Sequence, residues 1–515
     1  MAGQIDPEDR IFEKLQRRDD PAQEEKTRLV NERERAVYEK QQRRLSQLVE
    51  ANTTLPCTIS SVRVLGASHT RPAFLKRIVD PLLSANQDRP YTLSEALRET
   101  QYAVDKLYRH DIFSERPSIS IDRPDQTDPS STPTDIDVYI SAKEKSRLTF
   151  KTGTEAGNTE GSAFTNLTLR NIFGGAESLD LNASVGTRTR SAYQARFESP
   201  ILSDPDVRAE VGGLASSTQK AWASHEEIQK GGWAKLRWLG IGGKSELSYT
   251  GLWRQVTGMA EKASPTVRGD AGDSVKSSIT YSLTNDRRDY PLLPQSGYLT
   301  KSSVELAGWG PLQGDVSFLK TEVETQGAVP VPLPGVEGRS GVSFTTGFRA
   351  GLLYPLPLGF SSNPEASRIN DRFQLGGPTD VRGFRLGGLG PRDGNDAVGG
   401  DVYAAGSANL LMPIPRVGPD KPFRIQAFVN GGRLLALKQA SDGKENQPDV
   451  SNRISSTIAE LRNGLPSIAA GVGLVYAHPV ARFELNFSLP LVIRKGGMFS
   501  SLLYLASLYL VVGYI

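Results

Sequence analysis

From Arg147 onward the chain alternates apolar and polar residues with a period of two, and it does so nearly to its end. Leu179, Leu181, Ala183 and Val185 interleave with Ser178, Asp180, Asn182 and Ser184, and Tyr193, Ala195 and Phe197 interleave with Gln194, Arg196 and Glu198. Between these runs Gly186-Thr-Arg-Thr-Arg190 is short enough for a hairpin turn. The pattern returns at Leu247, Tyr249 and Trp253, at Val275, Ile279 and Tyr281, and at Phe483, Leu485, Phe487 and Leu489. Successive side chains of a strand point to opposite faces, so each run is a strand with one apolar and one polar face. The alternation predicts sixteen strands, near 147–157, 161–172, 176–187, 191–200, 206–217, 227–240, 244–256, 274–285, 296–308, 315–328, 340–353, 401–412, 422–434, 467–477, 480–491 and 499–514.

An even number of strands of this length suits an antiparallel barrel that crosses a membrane at a tilt. The rival, a soluble β-sandwich array, would have shorter strands of about 5–6 residues. The last segment, Met498–Ile515, is almost continuously apolar and could also be read as a marginal membrane helix. A closing strand is the reading that gives the first strand a partner.

Ahead of the barrel the periodicity differs. Residues 57–145 read as a strand at 58–65, a helix at 71–84, a helix from Thr92 to about Tyr108, and strands at 118–121 and 135–142. Thr92-Leu-Ser-Glu95 has the spacing of a capping box. About 90 residues can bury a small core, so an independent α+β module is expected. Residues 1–56 form a charged arm, helical or disordered, without a broad apolar face.

Two connections are too long for turns. Residues 438–466 are polar, with a short helix expected at 455–462, and 354–400 hold Phe373-Gln-Leu-Gly-Gly-Pro-Thr-Asp-Val-Arg-Gly-Phe384. Glycines there permit tight turns or close approach to another surface, and Arg382 brings a permanent charge and a planar fork of donors. Such a stretch fits either a flexible surface loop or a loop that docks inside something.

Composition narrows the function classes. The 515 residues carry 61 basic and 58 acidic side chains, a balance that gives no nucleic-acid footprint. A single cysteine, Cys57, excludes an intrachain disulfide framework and a multi-cysteine zinc site. The start lacks a basic-apolar-small secretory signal. Four scattered histidines, His69, His110, His225 and His478, have no metal or triad spacing, and the glycine-rich loop lacks the Gly-Lys-Ser/Thr ending of a phosphate cradle. Neither enzymatic chemistry nor a cofactor is expected.

One α+β unit followed by about sixteen strands, with Gly376-Gly-Pro-Thr-Asp-Val-Arg-Gly-Phe384 between the eleventh and twelfth, resembles the outer-membrane barrel-assembly family. The module at 57–145 then resembles a polypeptide-transport-associated (POTRA) domain, though a generic α+β module would look much the same. A single such unit without a secretory signal is most similar to the mitochondrial members, the central barrels of the sorting and assembly machinery. The resemblance implies insertion of β-barrel precursors into the mitochondrial outer membrane, with the N-terminal domain in the intermembrane space. It implies precursor clients, accessory subunits and membrane lipids as partners. It gives Val381, Arg382, Gly383 and Phe384 the role of a lumen loop that touches the barrel wall. Asn409, Phe428 and Asn430 stand at the matching wall positions. Because amides replace acids there, a neutral-acceptor hydrogen bond to Arg382 is expected instead of an ion pair; Asn430 could equally be a turn residue beside Gly431. It also implies a lateral seam at the first strand, Leu148, Thr149, Phe150, Lys151 and Thr152, whose following Gly153 would weaken closure. The alternatives are a passive outer-membrane pore or a polypeptide-secretion channel.

Overall fold

The structure is a computed structural model. It describes residues 46–88, 90–124, 131–157, 160–332, 340–361, 366–378, 380–414, 421–437, 450–477, 482–494 and 507–511, with 33, 37, 40–41, 43–44 and 364. Most of the charged arm, residues 438–449, His478 and the C-terminal stretches 498–506 and 512–515 lie outside the described residues. Two compact units emerge: residues 1–68 with 72–144, and residues 69–71 with 145–515.

The first unit is a small mixed α/β fold. Strand β1 (Pro56–Leu65) leads into helix α1 (Pro72–Asp88), then β2 (Tyr91–Thr92), helix α2 (Leu93–Tyr108), β3 (Ser118–Asp122) and β4 (Asp135–Ser141). The sheet order is β2-β1-β4-β3, with β1 parallel to β4. Thr92 caps α2 reciprocally: Glu95 N–H donates to Thr92 Oγ1 at 3.3 Å, and Thr92 N–H donates to Glu95 Oε2 at 3.0 Å. Apolar residues of α1 and α2, Val79, Leu82 and Ala103, meet Val62 and Val64 of β1. Strand β2 has no counterpart in the sequence reading, because two residues are too few to show a period. Its pairing of Tyr91 with Cys57 is set by the sheet edge.

The second unit is one antiparallel sheet of sixteen strands. In chain order these are β5 (Leu148–Gly157), β6 (Glu160–Arg170), β7 (Ser178–Gly186), β8 (Thr189–Ile201), β9 (Asp204–Lys220), β10 (His225–Gly240), β11 (Gly243–Thr257), β12 (Gly272–Asp286), β13 (Gly297–Ala307), β14 (Phe318–Pro330) and β15 (Ser343–Pro355). After the long connection come β18 (Val402–Pro413), β19 (Phe423–Leu435), β20 (Ser467–Ala477), β21 (Arg482–Val492) and β22 (Ser507–Val511). Every strand pairs with its sequence neighbour within the sheet, the up-and-down order of a barrel. Among the described residues no helix is long and apolar enough to cross a membrane. The apolar C-terminus, open to both readings in the sequence, supplies strand β22 against β21.

Alternation sorts the faces. On β21, Phe483, Phe487, Leu489 and Leu491 are exposed, whereas Glu484 and Asn486 are buried. On β19, Phe423 and Val429 face out and Arg424, Gln426, Phe428 and Asn430 are buried. An apolar exterior over a polar interior is the arrangement hydrocarbon demands of a spanning barrel, whose backbone groups pair strand to strand.

The long connection carries a small hairpin that the sequence reading lacks, β16 (Arg392–Asp393) with β17 (Asp396–Ala397), again too short for a period. The expected helix of the second long connection is α4 (Val450–Asn463); a five-residue helix, α3 (Pro265–Gly269), lies between β11 and β12. The connection between β15 and β18 enters an apolar cluster: Phe373, Leu375, Val381, Phe384 and Leu389 pack with Phe318, Leu353, Tyr403, Leu434 and Ala469 of the wall.

Candidate functional site

Val381-Arg382-Gly383-Phe384 forms a tight turn, and each residue has a separate physical task. Phe384 N–H donates to the Val381 carbonyl at 3.4 Å across the turn. Gly383 holds φ +90°, where an L side chain is strained, and a Cβ there would lie 3.2 Å from the Cβ atoms of Ala469 and Ser488. The glycine thus permits both the turn and the close approach to β20 and β21. Val381 and Phe384, 1% and 3% exposed, anchor the turn in the apolar cluster. Arg382 is left at the corner, aimed at the polar wall.

Its guanidinium meets three side chains. Nη1 donates to Asn409 Oδ1 at 3.0 Å, Nη2 donates to Glu484 Oε2 at 3.2 Å, and the charge stands 4.9 Å from the centre of the Phe428 ring. Asn430 takes the main chain: with its amide oriented to satisfy both neighbours, it accepts from Arg382 N–H at 2.8 Å and donates to the Ala469 carbonyl at 3.2 Å. The structure therefore brings Asn409, Phe428 and Asn430 to the loop arginine, Asn430 through the backbone.

The expected purely neutral contact is corrected by Glu484, which supplies the opposite charge from β21. Glu484 also pairs with Arg482 at 2.7 Å and accepts from Asn486 Nδ2 at 2.8 Å and Gln426 Nε2 at 3.2 Å. In the sequence it is one inward polar residue among many. Its neighbours in Arg482-Phe-Glu-Leu-Asn486, charged or amide at every inward position, are the only signal that could have singled it out.

Further carboxylates, none singled out in the sequence, tie the same connection down. Asp380 accepts from Gly376 N–H at 2.7 Å and pairs with Arg349 of β15. Asp396 accepts from Ser224 Oγ at 2.5 Å and Ser264 N–H at 2.8 Å, and Asp393 accepts from Thr266 at the start of α3. Asp371 accepts from Arg254 of β11 through both oxygens, at 2.6 and 3.0 Å. Burial alone would raise the Asp371 carboxyl, but the Arg254 charge and hydrogen bonds, with Lys276 and Lys320, hold it below the usual carboxylate range. Under the turn lies a cavity of about 790 Å³ lined by side chains of both signs, including Arg288, Glu324, Arg349, Arg382 and Glu484.

The seam residues lie elsewhere, on β5, which pairs antiparallel with β6. Leu148 and Phe150 are exposed. Arg170 Nη1 donates to Thr149 Oγ1 at 2.8 Å, and Thr152 Oγ1 donates to the Phe164 carbonyl at 3.1 Å. Gly153 lies under the Phe164 ring, where a Cβ would come within 3.0 Å of two ring carbons. Among the described residues no group of three or more His, Cys, Asp or Glu side chains could hold a metal ion.

The second unit is thus a sixteen-stranded sheet in barrel order with a long connection docked on its inner face through Arg382. Residues 171–497 match the Omp85 superfamily domain. The chain is 40% identical over 465 residues, 90% of its length and 92% of the relative's, to a SAM50-like protein of Schizosaccharomyces pombe. It is 31% identical over 408 residues, 78% of its length and 81% of the relative's, to the human sorting and assembly machinery component 50 homolog. The chain belongs to the Omp85 superfamily and, within it, to the SAM50 family of non-enzymatic assembly factors. BamA from Haemophilus ducreyi lacking POTRA domains 1–3 has the same fold, with a TM-score of 0.66 at 16% identity over 86% of this chain and 83% of that one.

Proposed function

We propose that this chain inserts and folds β-barrel precursors in the mitochondrial outer membrane, by pairing an incoming strand with β5 at a seam between β5 and β22. One observation carries the reading. The ladder runs from β5 to β22, and these two end strands, the first and last of the sheet, lie next to each other. An unpaired strand edge is a template for another strand, and inside a bilayer its free donors and acceptors are costly until something pairs with them. Membership of a family named for sorting and assembly supports the same reading.

In this scheme residues 57–145 are a POTRA domain on the intermembrane-space side, 1–56 an arm, and 146–515 the barrel. The partners are precursors, accessory subunits and lipid. Val381, Arg382, Gly383 and Phe384 hold the wall beside the seam, since Glu484 is the ladder partner of Tyr509 on β22. The lumen cavity of about 790 Å³ favours the rival reading, a passive pore.

The test is reconstitution of the purified protein in lipid vesicles with an unfolded β-barrel precursor. Assembly predicts that the precursor gains protease-resistant, heat-modifiable mobility well above its rate in empty vesicles. Steady conductance without client folding would put the pore reading ahead.

A further inference from the structure

The turn that presents Arg382 stands on a stem. Phe373 and Gly400 exchange backbone hydrogen bonds at 2.8 and 2.9 Å, and Leu389 N–H donates to the Leu375 carbonyl at 3.0 Å, which clips residues 376–388 into a lobe. The base of that stem is fixed on the part of the wall formed by β11, β12 and β14. Asp371, whose side chain is 1% exposed, takes both Arg254 donors; Lys276 Nζ lies 3.8 Å from its Oδ1, and Lys320 Nζ donates to its carbonyl at 3.0 Å. Lys276 also pairs with Glu305 at 2.6 Å. Three cations from three strands therefore converge on one residue of the connection.

We propose that Asp371 is a positioning residue for client assembly, an inference that rests on the reading above. Its carboxylate is the counter-charge that lets Arg254, Lys276 and Lys320 share one buried site, and in doing so it fixes the base of the lobe that carries Arg382 to Glu484. Neighbouring contacts, Ile369 N–H to Asp270 at 2.9 Å and Asn370 Nδ2 to Glu227 at 2.6 Å, hold the same limb, but neither matches the burial of the Asp371 pair. A buried carboxylate facing a bidentate guanidinium has one geometry, and an amide substituted there loses both the charge and one acceptor.

Removing one partner alone leaves a buried charge, so loss of folding could mimic loss of positioning. The decisive comparison is therefore Asp371→Asn beside the double variant Arg254→Leu/Asp371→Leu, which leaves neither of the two charges. Each full-length protein is placed in lipid vesicles and read three ways: heat-modifiable mobility for the folded barrel, trypsin cleavage after Arg382 and Arg385 for the lobe, and client folding. The double variant is expected to keep folded mobility, to become cleavable in the lobe, and to assemble client at least five-fold more slowly. Asp371→Asn should match it wherever it folds. If the double variant keeps the lobe protected and assembles client within two-fold of the wild type, the pair is internal charge compensation and the proposal is wrong. A cleavable lobe with undiminished client folding overturns it equally. Should the wild-type barrel itself assemble no client, the assembly reading fails, and lobe protection alone still reports whether Asp371 holds the stem.

Discussion

Arg382 Nη2 lies 3.2 Å from Glu484 Oε2, and Glu484 is the ladder partner of Tyr509 on the last strand of the sheet. The loop charge is thus one strand away from the edge where the sheet ends. Glu484→Gln keeps the shape of the side chain and leaves Arg382 and Arg482 without their counter-charge. The barrel should lose about 3–5 kcal/mol, the range for a broken buried pair. Asn409→Ala, which removes a neutral acceptor, should cost about 1–2 kcal/mol. Denaturant titrations followed by heat-modifiable mobility would rank the two.

Gly383→Ala should weaken docking of the turn by about 1–3 kcal/mol, the cost of holding a side chain in left-handed backbone. The added methyl also meets Ser488 Cβ at 3.2 Å. Adding Ser488→Gly should therefore recover part of the loss, and the backbone part should remain. Full recovery by Ser488→Gly would show that the positive φ costs nothing here.

Asp371 gives a pH dependence with a definite sign. Its carboxyl is held below the ordinary range in the folded protein, so its contribution is present above the unfolded carboxylate value of about 3.9 and fades as pH falls through the lower folded value. The stability gap between wild type and Asp371→Asn should be constant from about pH 7 to pH 5 and shrink below about pH 4. Melting midpoints across that series are the measurement, and a gap that closes near pH 6 would contradict it.

Cys57 reports on the N-terminal unit. Burial, with the Glu95 charge adding to it, pushes the thiol up. The side chain is 5% exposed, so a maleimide at neutral pH should label the native protein slowly and the denaturant-unfolded chain fast. Equal rates in both states would mean that β1 is open at its start.

Most of the fold is legible in the sequence because a barrel strand writes its two faces as strict alternation. Phe483, Leu485, Phe487 and Leu489 against Glu484, Asn486 and Ser488 need no tertiary information to be read as a strand. Two-residue strands such as Tyr91–Thr92 and the Arg392–Asp393 hairpin carry no period, and only the sheet or the loop around them makes them strands. The glycines and the permanent charge of Arg382 are legible as chemistry, whereas the docking role of Val381-Arg382-Gly383-Phe384 is legible only through the family resemblance. The charged partner of Arg382 is not legible, because Glu484 lies 102 residues further along and looks like every other inward polar residue. The positions after the loop, Asn409 and Asn430, offer only neutral acceptors, so they show no opposite charge for Arg382. Asp371 is hidden for the same reason: its partner Arg254 is 117 residues away, and only the packing of the connection against β11 brings the two together.

The central claim is that β5 pairs with an incoming strand, and site-specific crosslinking tests it most directly. Single cysteines are placed along Leu148–Thr152 and, for the lumen, at Ser407 and Gln326 in isolated mitochondria, with Cys57 replaced, and an arrested precursor carries one cysteine in its last strand. Crosslinks that advance residue by residue in a fixed register are the predicted result. Crosslinks confined to lumen positions such as Ser407 or Gln326, or absent altogether, would contradict the account and leave β5 as a plain wall strand.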